Sequence, residues 1–390
     1  MALDDVAAGG VRGLYDLATE AVDGLWKRMG DVSLEVSEVV DTLRWQLPRL
    51  AQLKRLEPDS RASLARMLSE QAAAIPERTF FLWHNKAYTY READARVNQQ
   101  LTALVGCGVK AGDHVGVLLG NGPGYLTVTM ALNRLGAVGV LLNAGARGRS
   151  LAQAVAAAAV DTLVVDGEHL DAVAGLLPPE RTLVVERHER ELPAGHVDLD
   201  ARLDLTSSDP PAGVPINQGR GKDLALLMFT SGTTGLPKAA RVTNLRSVMA
   251  ALGGAAATRL TWRDTVYCCL PLHHATGLLV ACGSALAGGA RLALAPRFSP
   301  ASFWEDTRRY GATIAFYVGE ICRYLVNAPG GPNDQRHPLR LLVGNGLRAD
   351  VWRQLVERFG PVRVLEFYSS TEGNVALCNL TGDKVGSVEL

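Results

Sequence analysis

Five short runs constrain what this chain can fold into: HVGVLLG from His114, VGVLLN from Val138, DTLVVDG from Asp161, RTLVVE from Arg181 and LALLMFT from Leu224. Each is apolar at consecutive positions, so a strand made from it needs cover on both faces. Helical stretches lie between them. Strands that alternate with helices and are buried on both sides predict an α/β chain with mixed, mostly parallel sheets packed with helices. The 390 residues exceed one average domain, and 47% of them are apolar. That allows two packed subdomains or one large α/β unit.

Charge and cysteine content narrow the function. Lys plus Arg and Asp plus Glu are 40 each, which gives no support for a nucleic-acid partner. The six cysteines show no C-x-x-C and no metal-ligand spacing. They read as buried thiols of a reducing compartment. The longest apolar stretch, GLLVACGSALAGGA from Gly277, stops at Arg291. That falls short of the roughly 20 residues that a bilayer requires. Asp4 and Asp5 stand where a signal peptide carries positive charge. A cytoplasmic protein is expected, with membrane association left open through residues 1–57.

Residues 1–57 differ in pattern from the rest of the chain. Leu47, Leu50, Leu53 and Leu56 share one helical face, and Arg44, Arg49, Lys54 and Arg55 add basic charge. Two readings stand: an interfacial segment that touches a membrane, and an amphipathic helix packed on the body of the protein. Pro48 suits only a first helical turn. From Asp59 the pattern becomes regular, and a domain over 58–386 is expected. Asp59 or Ser60 is placed to cap a helix carrying Leu64, Met67, Leu68 and Ile75. TYRE at Thr89–Glu92 is a capping box. Residues 188–222 are rich in Pro, Asp and Gly and read as a surface connection between two subdomains. GNGPG at Gly120 reads as a plain strand-to-helix turn, and RHERE at Arg187 as a solvated charge run.

TSGTTGLPK, from Thr230 to Lys238, carries the chemistry. Small residues let backbone N–H groups approach an anion, hydroxyls add donors, and Lys238 adds a point charge; the target this suggests is phosphate. The stretch is not the common G-x-x-x-x-G-K-[ST] loop, because Leu236 and Pro237 precede the lysine and Ala239 follows it. Three other stretches stand out: LPLHHATG from Leu270, VGNGLRADVW from Val343, and EFYSSTEGN from Glu366. Two adjacent histidines with no third ligand are weak evidence for zinc.

Together, and in this order, the four stretches resemble the signature motifs of the adenylate-forming superfamily over residues 60 to 386. Within it, GNGLRADVW and EFYSSTEGN are most similar to the fatty acid transport protein and very-long-chain acyl-CoA synthetase branch. The resemblance implies the large N-terminal domain of the acyl-CoA synthetase fold. It implies a fatty acyl-CoA ligase that forms AMP through an acyl-adenylate, using ATP, Mg2+ and coenzyme A as co-substrate. Thr230, Ser231, Gly232, Thr233, Thr234, Gly235 and Lys238 would embrace the β- and γ-phosphates. Thr371 would contact the α-phosphate region, and Glu372 would hold magnesium. Gly344, Asn345 and Gly346 would let adenine lie against the backbone, with Tyr368 stacked on it and Glu366 and Phe367 in the same turn. His274 would orient the acid or gate thiol entry. The catalytic set implied is therefore His274, Lys238, Thr371 and Glu372. The family's small C-terminal domain, with its adenylation lysine, has no counterpart after Glu372, so low activity is expected of these residues alone. A ligase for a carnitine-like or aromatic acid and a non-catalytic fatty-acid transport module remain alternatives. A homodimer and peripheral membrane contact remain open as partners.

Overall fold

The computed structural model describes residues 42–203, 206–230, 238–370, 376–379 and 384–386. Along these residues the strands are β1 (Thr79–Trp83), β2 (Lys86–Thr89), β3 (His114–Leu118), β4 (Val138–Leu141), β5 (Thr162–Asp166), β6 (Thr182–Val185), β7 (Val197–Asp198) and β8 (Leu224–Thr230). They continue as β9 (Lys238–Thr243), β10 (Thr265–Cys268), β11 (Arg291–Leu294), β12 (Ile314–Val318), β13 (Leu341–Asn345), β14 (Arg363–Ser369) and β15 (Ala376–Asn379). Two sheets result. One has the order β7-β6-β5-β3-β4-β8-β9, the other β15-β14-β13-β12-β10-β11-β1-β2.

The five apolar runs become β3, β4, β5, β6 and β8, all in the first sheet, and those strands pair in parallel. Antiparallel pairing is confined to strands joined by hairpins or added at an edge: β1 with β2, β8 with β9, and β14 with β15. Side-chain alternation divides the core. Val115, Val117 and Val164 face a large core shared with Val266, Leu292 and Ile314 of the second sheet. Leu118, Leu163 and Val165 face the other way, against Leu151, Ala154 and Val155 of the helix Gly148–Ala157. Helices Leu64–Ala74, Tyr90–Gly106, Pro123–Leu135 and Asn244–Ala257 contribute to the large core.

Arg134 is 1% exposed among these helices, and its guanidinium reaches Asp94 at 2.5 Å and the Ser69 hydroxyl at 2.9 Å. It also donates to Asn98. The helix Leu47–Arg55 starts with Pro48 in its first turn and lies on the helix Asn244–Ala257. Its Arg49 points inward and donates to the carbonyls of Leu260 at 2.6 Å, Ala255 at 3.2 Å and Gly288 at 3.4 Å. These carbonyls lie at or just beyond the C-terminal ends of two helices, where cationic donors are favoured. Burial pulls the Arg49 guanidinium down to about 10.

Some expectations need correction. The cap of the helix Leu64–Ala74 is Ser63, whose hydroxyl accepts from the Arg66 N–H; Ser60 instead bonds the Glu57 amide. The span 188–222 is not a bare connection, because β7 and the helix Leu199–Leu203 lie within it. The charge run at Arg187 is tied down: Arg187 pairs with Asp198 at 2.6 Å, and Arg190 pairs with Asp171. The Thr89–Glu92 capping box is present in full.

Candidate active site

The hydroxyl-rich stretch joins β8 to β9 as a hairpin, with Thr230 opposite Lys238 in the antiparallel register. Lys238 opens β9 and is exposed. Ser231, Gly232, Thr233, Thr234 and Gly235 lie outside the described residues, as do Thr371 and Glu372. The hairpin leaves from the carboxyl end of β8, the edge at which parallel sheets bind ligands. Adjacent strands are about 4.8 Å apart, so the end of β8 is on the order of 10 Å from that of β3, two strands away.

In the second sheet, β13 and β14 end at Asn345 and Ser369. Close backbone approach shapes the bend after β13. A Cβ on Gly344 would fall 2.3 Å from the Tyr317 carbonyl oxygen, and one on Gly319 would fall 1.8 Å from that of Gly346. Gly346 has φ of +75°, a conformation that glycine adopts without strain. Any side chain at Gly344 would therefore collide with Tyr317. Asn345 is half-buried and Gly346 exposed.

Glu366 lies within β14 and points its side chain inward. Its carboxylate is 3% exposed and accepts from the Tyr317 hydroxyl at 2.5 Å and the Leu347 N–H at 3.1 Å. Burial raises its pKa, and the Tyr317, Leu347 and Gly346 donors oppose that rise. Glu366 therefore braces the bend from beneath. Phe367 packs partly into the core, while Tyr368 is 54% exposed, with its ring available as a stacking platform.

The two histidines sit on the turn between β10 and a π-helical segment, Thr276–Cys282, which runs on into the helix Gly283–Gly288. Their ring centroids are 4.2 Å apart. Burial, then the neighbouring His274, hold His273 at about 4, and burial also lowers His274. Both rings are neutral at pH 7. A neutral His274, the more open of the two, suits hydrogen bonding to an acid better than charge pairing with it. The glycines of GLLVACGSALAGGA serve packing: Gly277 passes the Pro271 carbonyl, and Gly283 meets Ala251 of the helix Asn244–Ala257.

GNGPG does more than turn the chain. The Asn121 amide donates to the carbonyls of Leu270 at 2.8 Å and Ala295 at 3.2 Å, and its oxygen accepts from the Leu272 N–H at 2.9 Å. It thereby joins the carboxyl end of β3 in one sheet to those of β10 and β11 in the other. Asn121, Tyr317 and Gly319 do not stand out in the sequence. An asparagine just before a helix-starting Gly-Pro, after a buried strand, is the one signal available for the first.

This two-sheet architecture is the large N-terminal domain of the acyl-CoA synthetase fold. It superposes on an anthranilate CoA ligase, AuaEII, in complex with anthranoyl-AMP, with a TM-score of 0.74 and 20% identity, covering 86% of this chain and 65% of that one. The N-terminal domain of FACL13 from Mycobacterium tuberculosis matches with a TM-score of 0.69 and 21% identity, covering 84% and 82%. The AMP-binding enzyme family model matches residues 68–389, and the chain belongs to that family. It is 37% identical over 326 residues to the medium/long-chain-fatty-acid–CoA ligase FadD6 of Mycobacterium tuberculosis, covering 83% of this chain and 53% of that protein. It is also 37% identical over 316 residues to long-chain fatty acid transport protein 6 of Mus musculus, covering 80% and 51%. The chain spans about half the length of these relatives.

Proposed function

We propose that these residues form the nucleotide- and acid-binding part of a ligase that activates a long- or very-long-chain fatty acid as its acyl-adenylate and passes the acyl group to coenzyme A. The observation that carries this reading is the junction at Asn121. It joins the carboxyl edge that bears the β8–β9 hairpin to the edge that bears the histidine turn, the Gly344–Gly346 bend and Tyr368. The names of the relatives at 37% identity favour a fatty acid over an aromatic one.

A carboxylate resists displacement because oxide is a poor leaving group, and linkage to AMP supplies a good one. Lys238, at the mouth of the hairpin, would meet charge that builds on departing pyrophosphate, and preorganised donors of this kind contribute a few kcal/mol each, on the order of 3. Tyr368 would stack on the base, and Glu366 would keep the bend beneath it in place. His274, neutral, would orient the acid by hydrogen bonding. Thr371 would lie at the α-phosphate, and Glu372 would hold the magnesium that neutralises phosphate charge when bound.

The test is isotope exchange between pyrophosphate and ATP in the protein as encoded, across saturated acids of increasing length and an aromatic acid. Exchange that depends on added long-chain acid supports the reading, and exchange with the aromatic acid alone overturns the substrate assignment. Relatives named as transport proteins favour a second reading, capture and transport without chemistry. Acid binding with no exchange and no acyl-CoA product would establish that one instead.

A further inference from the structure

The segment Leu270–Leu272 has Pro271 at its centre, so Leu272 supplies its one backbone donor after Leu270. Asn121 takes that donor and the Leu270 carbonyl together, and also holds Ala295 at the end of β11. The side-chain amide thus does for this turn what a neighbouring strand would do, with one residue. On its C-terminal side the turn is closed by its own bonds, His274 N–H to Pro271 at 3.2 Å and Leu278 N–H to His274 at 3.1 Å.

The base on which Asn121 stands is fixed. The Gly120 N–H donates to Asp166 at 2.7 Å, and the other oxygen of Asp166 is held by the His169 ring at 2.6 Å. The Gly124 N–H donates to Glu186 at 3.2 Å. Asp166 and His169 are both buried. Two bonds from a braced loop, with a third anchoring it to Ala295, set the height of a turn whose next two residues are the histidines.

We propose that Asn121 is a positioning residue for the acid substrate, acting through the backbone of Leu270–Leu272 to place His273 and His274. The acid half of this inference rests on the ligase reading above. The bonds of Asn121 go to the histidine turn and to the end of β11, so acid binding is expected to change more than ATP binding when they are lost.

The test is Asn121→Ala in the protein as encoded, with two readouts. Hydrogen exchange should speed up about tenfold or more across the amides of 272–282 and stay unchanged in the helix Asn244–Ala257. KM for the fatty acid should rise about tenfold while KM for ATP stays within about threefold. Unchanged exchange at 272–282 overturns the proposal, whatever the activity. Faster exchange with equal changes in both KM values, or with none, also overturns it, because the bonds would then be structural alone. If Asn121→Ala does not fold, Asn121→Asp keeps the acceptor for Leu272 and removes both donors, and the same two readouts apply. A wild-type protein that forms no acyl-adenylate with any acid sinks the ligase reading; hydrogen exchange then decides alone whether Asn121 sets the turn.

Discussion

Glu366 carries its carboxylate inward to the Tyr317 hydroxyl, two residues before Tyr368 presents its ring to solvent. Replacing it with alanine leaves a buried hydroxyl and the Leu347 N–H without an acceptor, a loss of about 3 kcal/mol in urea unfolding. Glu366→Gln keeps an acceptor and should cost much less. The pH dependence separates these effects. The Glu366 pKa is raised on folding, so its contribution is full below its ordinary value of 4.5 and is lost as pH rises through the folded value. Wild-type stability should therefore fall as pH rises from 4.5 through the folded value and then level off, and Glu366→Gln should flatten part of that slope. Glu186 and Asp200, also raised, account for further slope of the same sign. Arg134 offers a plainer case. Arg134→Met strands Asp94 and Asn98 in a largely buried place and should cost about 3 to 5 kcal/mol, read as a lower urea midpoint.

At the scale of elements, strands were legible because consecutive apolar residues have few other uses, and the TYRE box was legible because its two bonds are local. Ser63 was missed as a cap because Asp59, Ser60 and Ser63 are all chemically competent, and tertiary packing chose among them. The short strand and helix inside 188–222 were hidden by the turn-like composition around them. Glu366 and Asn121 were hidden for another reason: their partners lie 49 and about 150 positions away, and no local pattern announces such a bond. The contact between Gly319 and Gly346 is of the same kind and yields a test. Gly319→Ala should force the bend after β13 aside, since its Cβ would overlap the Gly346 carbonyl oxygen. KM for ATP should rise about tenfold with KM for the acid nearly unchanged, the reverse of the Asn121 pattern.

Across the whole molecule, Asp264 stands at the amino edge of the second sheet, away from the carboxyl ends. It accepts from Thr313 at 2.7 Å, Arg340 at 3.0 Å and the Thr261 N–H at 2.8 Å, next to the starts of β10, β12 and β13. Burial alone would raise its pKa, but the Arg340, Thr313 and Thr261 bonds outweigh it and hold the pKa below 3.8. That stability is present above the ordinary value and is lost as pH falls through the folded one. Acid unfolding below about pH 4 should be less steep in Asp264→Asn, at the expense of a lower plateau at neutral pH. The inward Arg49 has a practical consequence for anyone trimming this chain. A version beginning at Pro58 does more than shorten it; the cut uncorks the ends of two helices and takes the Arg49 donor from the Leu260, Ala255 and Gly288 oxygens. Poor yield or clumping of such a truncation would then report a missing plug, and comparing its vesicle binding with that of the longer chain would measure damage to the fold before it measured any taste for lipid.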